Sequence, residues 1–367
     1  MIVCIMSASI VARRLHNQHV ARPRRSTPAE LVSWLGAVQA QEYQPAKWGL
    51  ALRLRAGHGD AEIEQALNEG EILRTHVMRP TWHFVARADL AWMLQLTAPR
   101  VHRTMATYNR HQGLEKALVL RAVTVFEREL SGCCLTRAEL GERLAKGGFR
   151  ATSLQLALLM MYAELEGIVC SGPRRGKQST YALVAERAPS PRPLNRDEAL
   201  GELSRRFFSS HGPATIRDFV WWSGLTTADA RRGLEIIRAR SETADGLTYW
   251  TVAQVRVGAE QSPVHLLPIY DEYLVAYRDR VAVPHGPGKF RSGRERVTFQ
   301  HAVVSNGLVT GTWRTTVKAD RIELGIFPLR VLTAAERRAL EDEAARYGQF
   351  LNRTVTATIA RPGAQKR

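Results

Sequence analysis

The sequence predicts an α+β protein in which three tandem winged helix-turn-helix modules precede a small β-barrel-like domain. One layout occurs three times with a period of about 90 residues: a helix, a capped second helix, a turn, a third helix and then β-rich runs. The last third of the chain has instead several β-rich runs and one helix. We therefore place the modules at residues 1–100, 101–188 and 189–260, and the C-terminal domain at residues 261–367.

The first module has four helical patterns and one β-hairpin. Its clearest helix start is Thr27-Pro28-Ala29-Glu30, where threonine is the N-cap, proline takes the first helical position and glutamate completes a capping box. We expect His76 and His83 to pair across the hairpin rather than to bind a metal, because no third ligand lies nearby in sequence. The predicted helices are 9–20, 28–38, 46–54 and 60–69, and the predicted strands are 72–77 and 81–85, with a turn at 78–80.

The second and third modules repeat the layout around a linker, the Pro-Ser-Pro-Arg-Pro run at 189–193. The hairpin of the second module has a basic tip, Arg174, Arg175 and Lys177, which suits contacts to phosphates; a solvated loop is the alternative. The predicted helices are 116–130, 136–144, 153–166, 196–209, 216–223 and 226–240, and the predicted strands are 167–171, 179–183 and 247–257.

The C-terminal domain is predicted to be a small barrel-like sheet with one helix. An Asn306-Gly307 pair between two β-rich runs is typical of a tight hairpin turn. The loop at 284–296 is basic, and its cationic side chains either contact DNA or are solvated: Lys289, Arg291, Arg294 and Arg296. The predicted strands are 264–268, 296–304, 308–316, 321–328 and 354–359, and the predicted helix is 333–347.

Gln39 and Gln41 are the candidate catalytic residues. The helix before them ends near Val38, because Gln44 precedes Pro45 and is disfavoured in the α region. Residues two apart point the same way on an extended segment, so the two amides would project side by side. Each amide can donate and accept hydrogen bonds. The local pattern alone also allows a plainer reading, in which the pair caps the helix and solvates a turn.

The charge balance indicates a polyanionic partner. Lysine and arginine number 52 against 35 aspartate and glutamate residues, which gives a net charge of +17. Such an excess is most often a sign of nucleic-acid binding; an anionic membrane surface and a compositional bias towards arginine are the alternatives.

Cysteine usage and hydropathy bear on the compartment and on metal sites. Cys4, Cys133, Cys134 and Cys170 form no C-x-x-C pair, which fits a reducing compartment and argues against structural zinc. The apolar start has no basic residue before it and is too short to span a bilayer. We expect a cytoplasmic, nucleoid-associated protein without a membrane partner, a metal or a cofactor.

Four motifs in a fixed order resemble one family, the AlkZ/YcaQ-type winged-helix bacterial DNA glycosylases. The motifs are Gln39-Ala40-Gln41, residues 75–83 (THVMRPTWH), residues 267–273 (LPIYDEY), and Asn306-Gly307 followed by residues 311–314 (GTWR). The resemblance covers residues 9–360, nearly the whole chain. No single motif is diagnostic; their order and spacing carry the resemblance.

The resemblance implies a fold and an activity. Members have three winged helices in a C shape around a basic concave surface, excise N7-alkylated purines and unhook interstrand crosslinks. In the azinomycin-resistance branch, found in Streptomyces, the essential motif is glutamine, one residue, glutamine, as in Gln39-Ala40-Gln41; the other branch has aspartate at the last position. A β-hairpin inserts into DNA, for which the Arg174-Arg175 hairpin and residues 284–315 are both candidates. We expect Arg79, His83 and Trp48 to support the glutamine pair.

The chemistry of such a lesion is compatible with glutamines. Hydrolysis of an N-glycosidic bond usually needs a carboxylate, but an N7-alkylated purine already carries positive charge and leaves readily. Two amides that position water and orient the sugar would then suffice. We expect no covalent intermediate, because the motif lacks a lysine, and an open cleft, because a crosslinked base cannot flip freely. Glu42 is the reserve candidate for a general base.

A non-enzymatic winged-helix protein is the rival interpretation, either a transcription regulator or a protein that sequesters drug adducts. Three modules in one chain remove the need for the symmetric dimer that is common among helix-turn-helix regulators, and no coiled coil is apparent. We therefore favour a monomeric DNA glycosylase that acts on duplex DNA.

Overall fold

The structure is a computed structural model that describes residues 2–55, 58–189, 193–252, 264–279 and 299–362, and of residues 2–8 it describes the backbone alone. The predicted DNA contacts Lys289, Arg291, Arg294 and Arg296 lie outside these ranges. No helix within them is both long enough and apolar enough to cross a membrane.

The N-terminal elements are five helices and a three-stranded sheet: α1 (Ile2–Asn17), α2 (Pro28–Leu35), β1 (Val38–Gln39), α3 (Tyr43–Ala51), α4 (Asp60–Asn68), β2 (Ile72–Val77), β3 (Arg79–Ala86) and α5 (Leu90–His111). The sheet has the order β1-β3-β2, with both pairs antiparallel. Helix α2 starts as predicted, since Thr27 Oγ1 accepts from the N–H of Glu30 and Pro28 is the first helical residue. The Glu30 carboxylate, however, accepts from Ser26 N–H and so does not complete the predicted box with Thr27.

The next elements repeat that order: α6 (Lys116–Leu130), β4 (Leu135–Thr136), α7 (Arg137–Lys146), α8 (Ser153–Leu165), β5 (Val169–Ser171), β6 (Thr180–Leu183) and α9 (Val184–Arg187). The sheet order β4-β6-β5 matches β1-β3-β2 strand for strand. Thr136 caps α7 and Thr152 caps α8, each within a complete capping box.

The order appears a third time in α10 (Arg196–Ser210), α11 (Ile216–Ser223), α12 (Thr227–Ile237), β7 (Arg240–Ala244) and β8 (Leu247–Thr251). Strand β8 pairs with β7, and Trp250 in β8 also exchanges two main-chain hydrogen bonds with Ala214. Ala214 thus takes the place that β1 and β4 hold in the two earlier sheets.

The C-terminal elements are β9 (Val264–Leu267), α13 (Glu272–Val275), β10 (His301–Ser305), β11 (Leu308–Val317), β12 (Arg321–Pro328), α14 (Ala334–Leu351) and β13 (Thr354–Ile359). The sheet order is β13-β12-β11-β10-β9. The predicted turn is present, because Asn306 and Gly307 both have positive φ. The predicted barrel is a half-barrel among the described residues: α14 carries the chain back to a parallel β13, which forms an edge.

Two hydrophobic cores meet at β3. Phe84 packs into the core shared by α1–α4, the C-terminal sheet and α14, whereas the next residue, Val85, packs into the core that extends through α5 to α12. Successive residues of a strand point to opposite faces, so this one strand forms a wall between both cores.

Helix α5 departs from the sequence analysis, which predicted no helix between residues 86 and 116. Leu90, Met93 and Leu96 are buried, and this apolar face outweighs the roughly 3 kcal/mol that a proline costs inside a helix. Pro99 therefore lies within α5, and the predicted module boundary at residue 100 falls inside a helix.

Candidate active site

The two glutamines lie where the chain leaves α2 and joins the first sheet. Gln39 is in β1, opposite His83 in β3, and Ala40 continues the ladder by donating from its N–H to the carbonyl of Trp82 at 2.7 Å. Ala40 is fully buried, while Gln41 is half-buried. The chain is extended at Val38–Gln39, as predicted, but it bends at Gln41, and Gln39 is itself buried, at 7% exposed.

Each glutamine side chain is oriented by a bond from β3. Arg79 Nη2 donates to Gln39 Oε1 at 3.0 Å, and the main-chain N–H of Trp82 donates to Gln41 Oε1 at 3.4 Å. A carbonyl oxygen has two lone pairs, so each amide oxygen can still accept one hydrogen bond. The described residues offer no acceptor to either amide nitrogen. The pair can therefore both accept from and donate to a bound molecule.

The carbonyl groups behind the glutamines are fixed by Arg74 in β2. Its Nε donates to Ala40 O at 2.9 Å, and its Nη2 donates to Gln41 O at 3.3 Å. The guanidinium also lies 4.4 Å from the ring centroid of Trp82. Arg74 thus ties the Gln39–Gln41 segment to the strand on the far side of β3.

A buried carboxylate, that of Glu272 in α13, holds the segment from the other side. Glu272 Oε1 accepts from Gln39 N–H at 2.7 Å, Oε2 accepts from Trp222 Nε1 at 3.0 Å, and His211 Nε2 lies 3.4 Å from Oε2. Burial alone would raise the pKa of Glu272, but the bonds from His211 and Gln39 and the charge of Arg79 lower it. The carboxylate is therefore ionised beneath Gln39.

His83 lies beside Gln39 as a neutral imidazole. It is fully buried, which lowers its pKa to about 3, with the charge of Arg79 as a further cause. Its Nδ1 bonds Thr81 O at 2.9 Å, and its Nε2 lies 3.4 Å from Arg79 Nη2. The expected pairing with His76 is wrong, because His76 is opposite Trp82 and His83 is opposite Thr75, which places the two imidazoles on opposite faces.

A cleft opens next to Arg79. Its cavity volume is about 610 Å³, and four arginines from different elements line it: Arg79, Arg100, Arg217 and Arg278. No carboxylate belongs to the lining as the structure describes it. Arg100 and Arg217 are exposed and belong to no ion pair among the described residues. This concentration of positive charge suits a polyanion.

The remaining predicted residues lie elsewhere. Trp48 is in the core, 1% exposed, and its Nε1 donates to Leu266 O at 2.7 Å, so the structure does not bring it to the glutamines. Arg174 lies over Tyr43, 4.6 Å from the ring centroid, and Arg175 donates to Glu139 at 2.7 Å. Both arginines are engaged within the protein; Lys177 is exposed. Their contact with DNA stays a prediction.

Metal ligands are not concentrated anywhere in the described chain, where no group of three or more histidine, cysteine, aspartate or glutamate residues is arranged to hold an ion. Glu42, the reserve base, is exposed at the N-cap of α3 and makes no capping hydrogen bond there.

Comparison with known proteins assigns the chain to a family. The sequence model of the family described as AlkZ-like DNA glycosylases matches residues 32–350. The chain belongs to this family. It is therefore an enzyme of the class that hydrolyses N-glycosyl bonds in DNA.

One curated relative of this AlkZ-like chain is the interstrand DNA cross-link repair glycosylase of Streptomyces sahachiroi. It is 25% identical over 358 residues, which are 92% of this chain and 94% of the relative. The solved structure of DNA glycosylase AlkZ from the same organism has the same fold, with a TM-score of 0.78 at 21% identity over 96% of this chain and 99% of that one.

Two parts of the site were missed from sequence. Glu272 lies in the Leu267–Tyr273 motif that supports the resemblance, and two adjacent acids, Asp271 and Glu272, among apolar residues are a signal of buried partners. Arg79 was expected only as support for the glutamines, and Arg100, Arg217 and Arg278 gave no signal, because they are far apart in sequence and only the fold brings them to Arg79.

Proposed function

We propose that this AlkZ-like glycosylase is monofunctional, releases N7-alkylated purines from duplex DNA and unhooks azinomycin-type interstrand crosslinks, for self-resistance or DNA repair. The observation that carries the proposal is the glutamine pair: Gln39 and Gln41 are two residues apart at the end of β1, and neither amide nitrogen has an acceptor among the described residues.

The glutamines act by position rather than by proton transfer. An amide has no useful basicity, but a cationic N7-alkylated base needs little protonation to leave. Each Oε1 has one lone pair left to hold a water molecule, and each Nε2 can donate to the sugar or the adjacent phosphate. Orienting water and sugar in this way lowers the barrier without a covalent bond to the protein.

The surroundings of the lysine nearest the glutamine motif in sequence support hydrolysis without a Schiff base. Lys47 is fully buried, and its Nζ lies 2.6 Å from Glu64 and 2.8 Å from Asp60. A charged amine in that double ion pair is not a nucleophile. Glu272 is equally unsuited as a general base, because it is 1% exposed and already accepts from two donors.

Duplex DNA would lie along the arginine-lined cleft. In this proposal the three repeats of helix, strand, helix, helix, strand and strand, the third with Ala214 in place of its first strand, are winged-helix modules that form a basic concave surface. Arg100 and Arg217 then contact phosphates. The exposure of both arginines leaves the cleft open to solvent, which suits a base that stays tethered to the opposite strand.

The test uses duplexes with a single N7-methylguanine or an N7-linked interstrand crosslink. We expect the protein to release free base, to leave abasic sites and to separate the crosslinked strands, and we expect borohydride to trap no protein–DNA adduct. A protein that binds both duplexes tightly but releases nothing would instead be a sequestering protein.

A further inference from the structure

We propose that Glu272 is the counter-charge of the reaction site: it positions the main chain of Gln39 and supplies the negative potential that favours a cationic sugar. The inference rests on the proposed function, since only a glycosylase develops an oxocarbenium-like charge at this place. Glu272 is a positioning residue that acts through Gln39 and through its field.

The geometry excludes direct chemistry by this carboxylate. Gln39 N–H and Trp222 Nε1 occupy its two oxygens at 2.7 and 3.0 Å, and the residue is 1% exposed. Water therefore does not reach it in the arrangement described. A charge-assisted hydrogen bond is about twice as strong as a neutral one, so the carboxylate fixes the position of the Gln39 main chain.

The negative charge of Glu272 matters because a positive charge, that of Arg79, lies on the other side of Gln39. Arg79 donates to Gln39 Oε1 at 3.0 Å and brings a permanent positive charge to the place where the sugar becomes cationic. His83 is neutral, so it adds no charge. His211 is the largest of the causes that lower the pKa of Glu272 and keep the carboxylate ionised, and the charge of Arg79 is a further one. Without Glu272, the potential at the site would oppose the transition state.

The neighbouring carboxylate has a different partner. Asp271 accepts two bonds from Arg53, at 2.8 and 2.7 Å, and so forms a closed ion pair in the core. Glu272 makes no comparable bidentate pair with an arginine among the described residues. Of the two adjacent acids, Glu272 is thus the one whose charge is directed to the glutamine segment.

Binding to two abasic-site analogues measures this charge directly. One duplex carries a pyrrolidine, whose protonated nitrogen mimics the cationic sugar, and the other carries the neutral tetrahydrofuran. We expect the wild type to bind the cationic analogue more tightly, and Glu272→Gln to lower that ratio of affinities about tenfold, because the variant keeps the size and an acceptor but loses the charge. Glu336→Gln is the control, since it neutralises another buried, ionised glutamate, in the capping box of α14, and should leave the ratio unchanged.

A second variant keeps the test decisive if Glu272→Gln does not fold. Arg79 is half-buried, and Arg79→Gln removes its positive charge from beside Gln39. This variant should raise the ratio of affinities for the cationic over the neutral analogue. Three outcomes would overturn the inference. The wild type could show no preference for the cationic analogue, a folded Glu272→Gln could keep the wild-type ratio of affinities, or Arg79→Gln could lower that ratio. Because binding is the readout, the proposed function fails separately, through an absence of base release by the wild type.

Discussion

Arg74 Nε donates to the carbonyl oxygen of Ala40 at 2.9 Å, and this bond joins β2 to the segment that carries both glutamines. The two residues lie on either side of β3, so the contact spans the first sheet. Together with Glu272 on the opposite side, Arg74 fixes the backbone on which the proposed chemistry depends.

The first prediction concerns that bond. Arg74→Lys keeps the charge but cannot reach two carbonyl oxygens and the Trp82 ring with one planar group. We expect kcat for base release to fall about tenfold or more, because misplacement of a reacting group by about 1 Å is costly. Affinity for undamaged duplex should stay within about twofold. An equal loss of both quantities would indicate a general structural defect.

The second prediction concerns the cleft. Arg100→Gln and Arg217→Gln should each weaken binding to any duplex and lower the slope of log K against log salt by about one, since each removes one phosphate contact. Arg128→Gln on α6 is the control, because Arg128 is exposed but paired with Glu129 at 2.7 Å. Unchanged salt slopes would place the DNA elsewhere.

The third prediction concerns Gly224, which ends α11 with φ +70°. A Cβ there would lie 2.4 Å from Met78 O, in the turn that precedes Arg79. Gly224→Ala should therefore destabilise the protein by more than the roughly 1–2 kcal/mol of left-handed strain, and should also slow base release.

Gly246→Ala is the matched control for this substitution. Gly246 has φ +74° and no atom within 4 Å of an added Cβ, so the variant should show the strain alone. Thermal unfolding of both variants, and of the wild type, measures the difference. Equal destabilisation would show that the turn moves away from Gly224 without strain.

The sequence predicted the elements of this fold well and the site only in part. Caps such as Thr136, the Asn306-Gly307 turn and the end of α2 before the extended Val38–Gln39 pair follow from local chemistry, which the sequence displays directly. Helix α5 was missed because Pro99 is a strong local signal against a helix, whereas the packing that overrides it comes from other parts of the chain.

Long-range partners explain what the sequence did not reveal. Glu272 meets Gln39 across 233 positions, and no local pattern encodes that distance. The separation of His76 from His83 is different, because it follows from alternation alone. His76 is opposite Trp82, and His83, the next residue, points to the other face, so a turn at residues 78–80 already excludes the pair.

The fourth prediction concerns pH. Burial lowers the pKa of His265 to about 3, so the unfolded chain, with its ordinary pKa of about 6.5, binds the proton more readily than the folded protein. Stability from this group is complete above pH ~6.5 and is lost as the pH falls towards ~3, at up to about 1.4 kcal/mol per pH unit.

In His265→Leu the free energy of unfolding should therefore fall less between pH 7 and pH 5 than it does in the wild type, whatever the stability of the variant at pH 7. His111→Leu is the control, because His111 is exposed at the end of α5. Denaturant unfolding at the two pH values gives both slopes; a wild-type slope in His265→Leu would exclude His265 as the source.

The most direct test of the account is single-turnover release of N7-methylguanine from a duplex by the wild type, Gln39→Ala, Gln41→Ala and the double variant. Gln44→Ala is the matched control, an exposed glutamine on α3 close to the pair. We predict that each single variant loses about a hundredfold or more in rate while binding undamaged duplex normally, and that Gln44→Ala matches the wild type. Release at the wild-type rate by the double variant would contradict the assignment of the reaction to the glutamine pair.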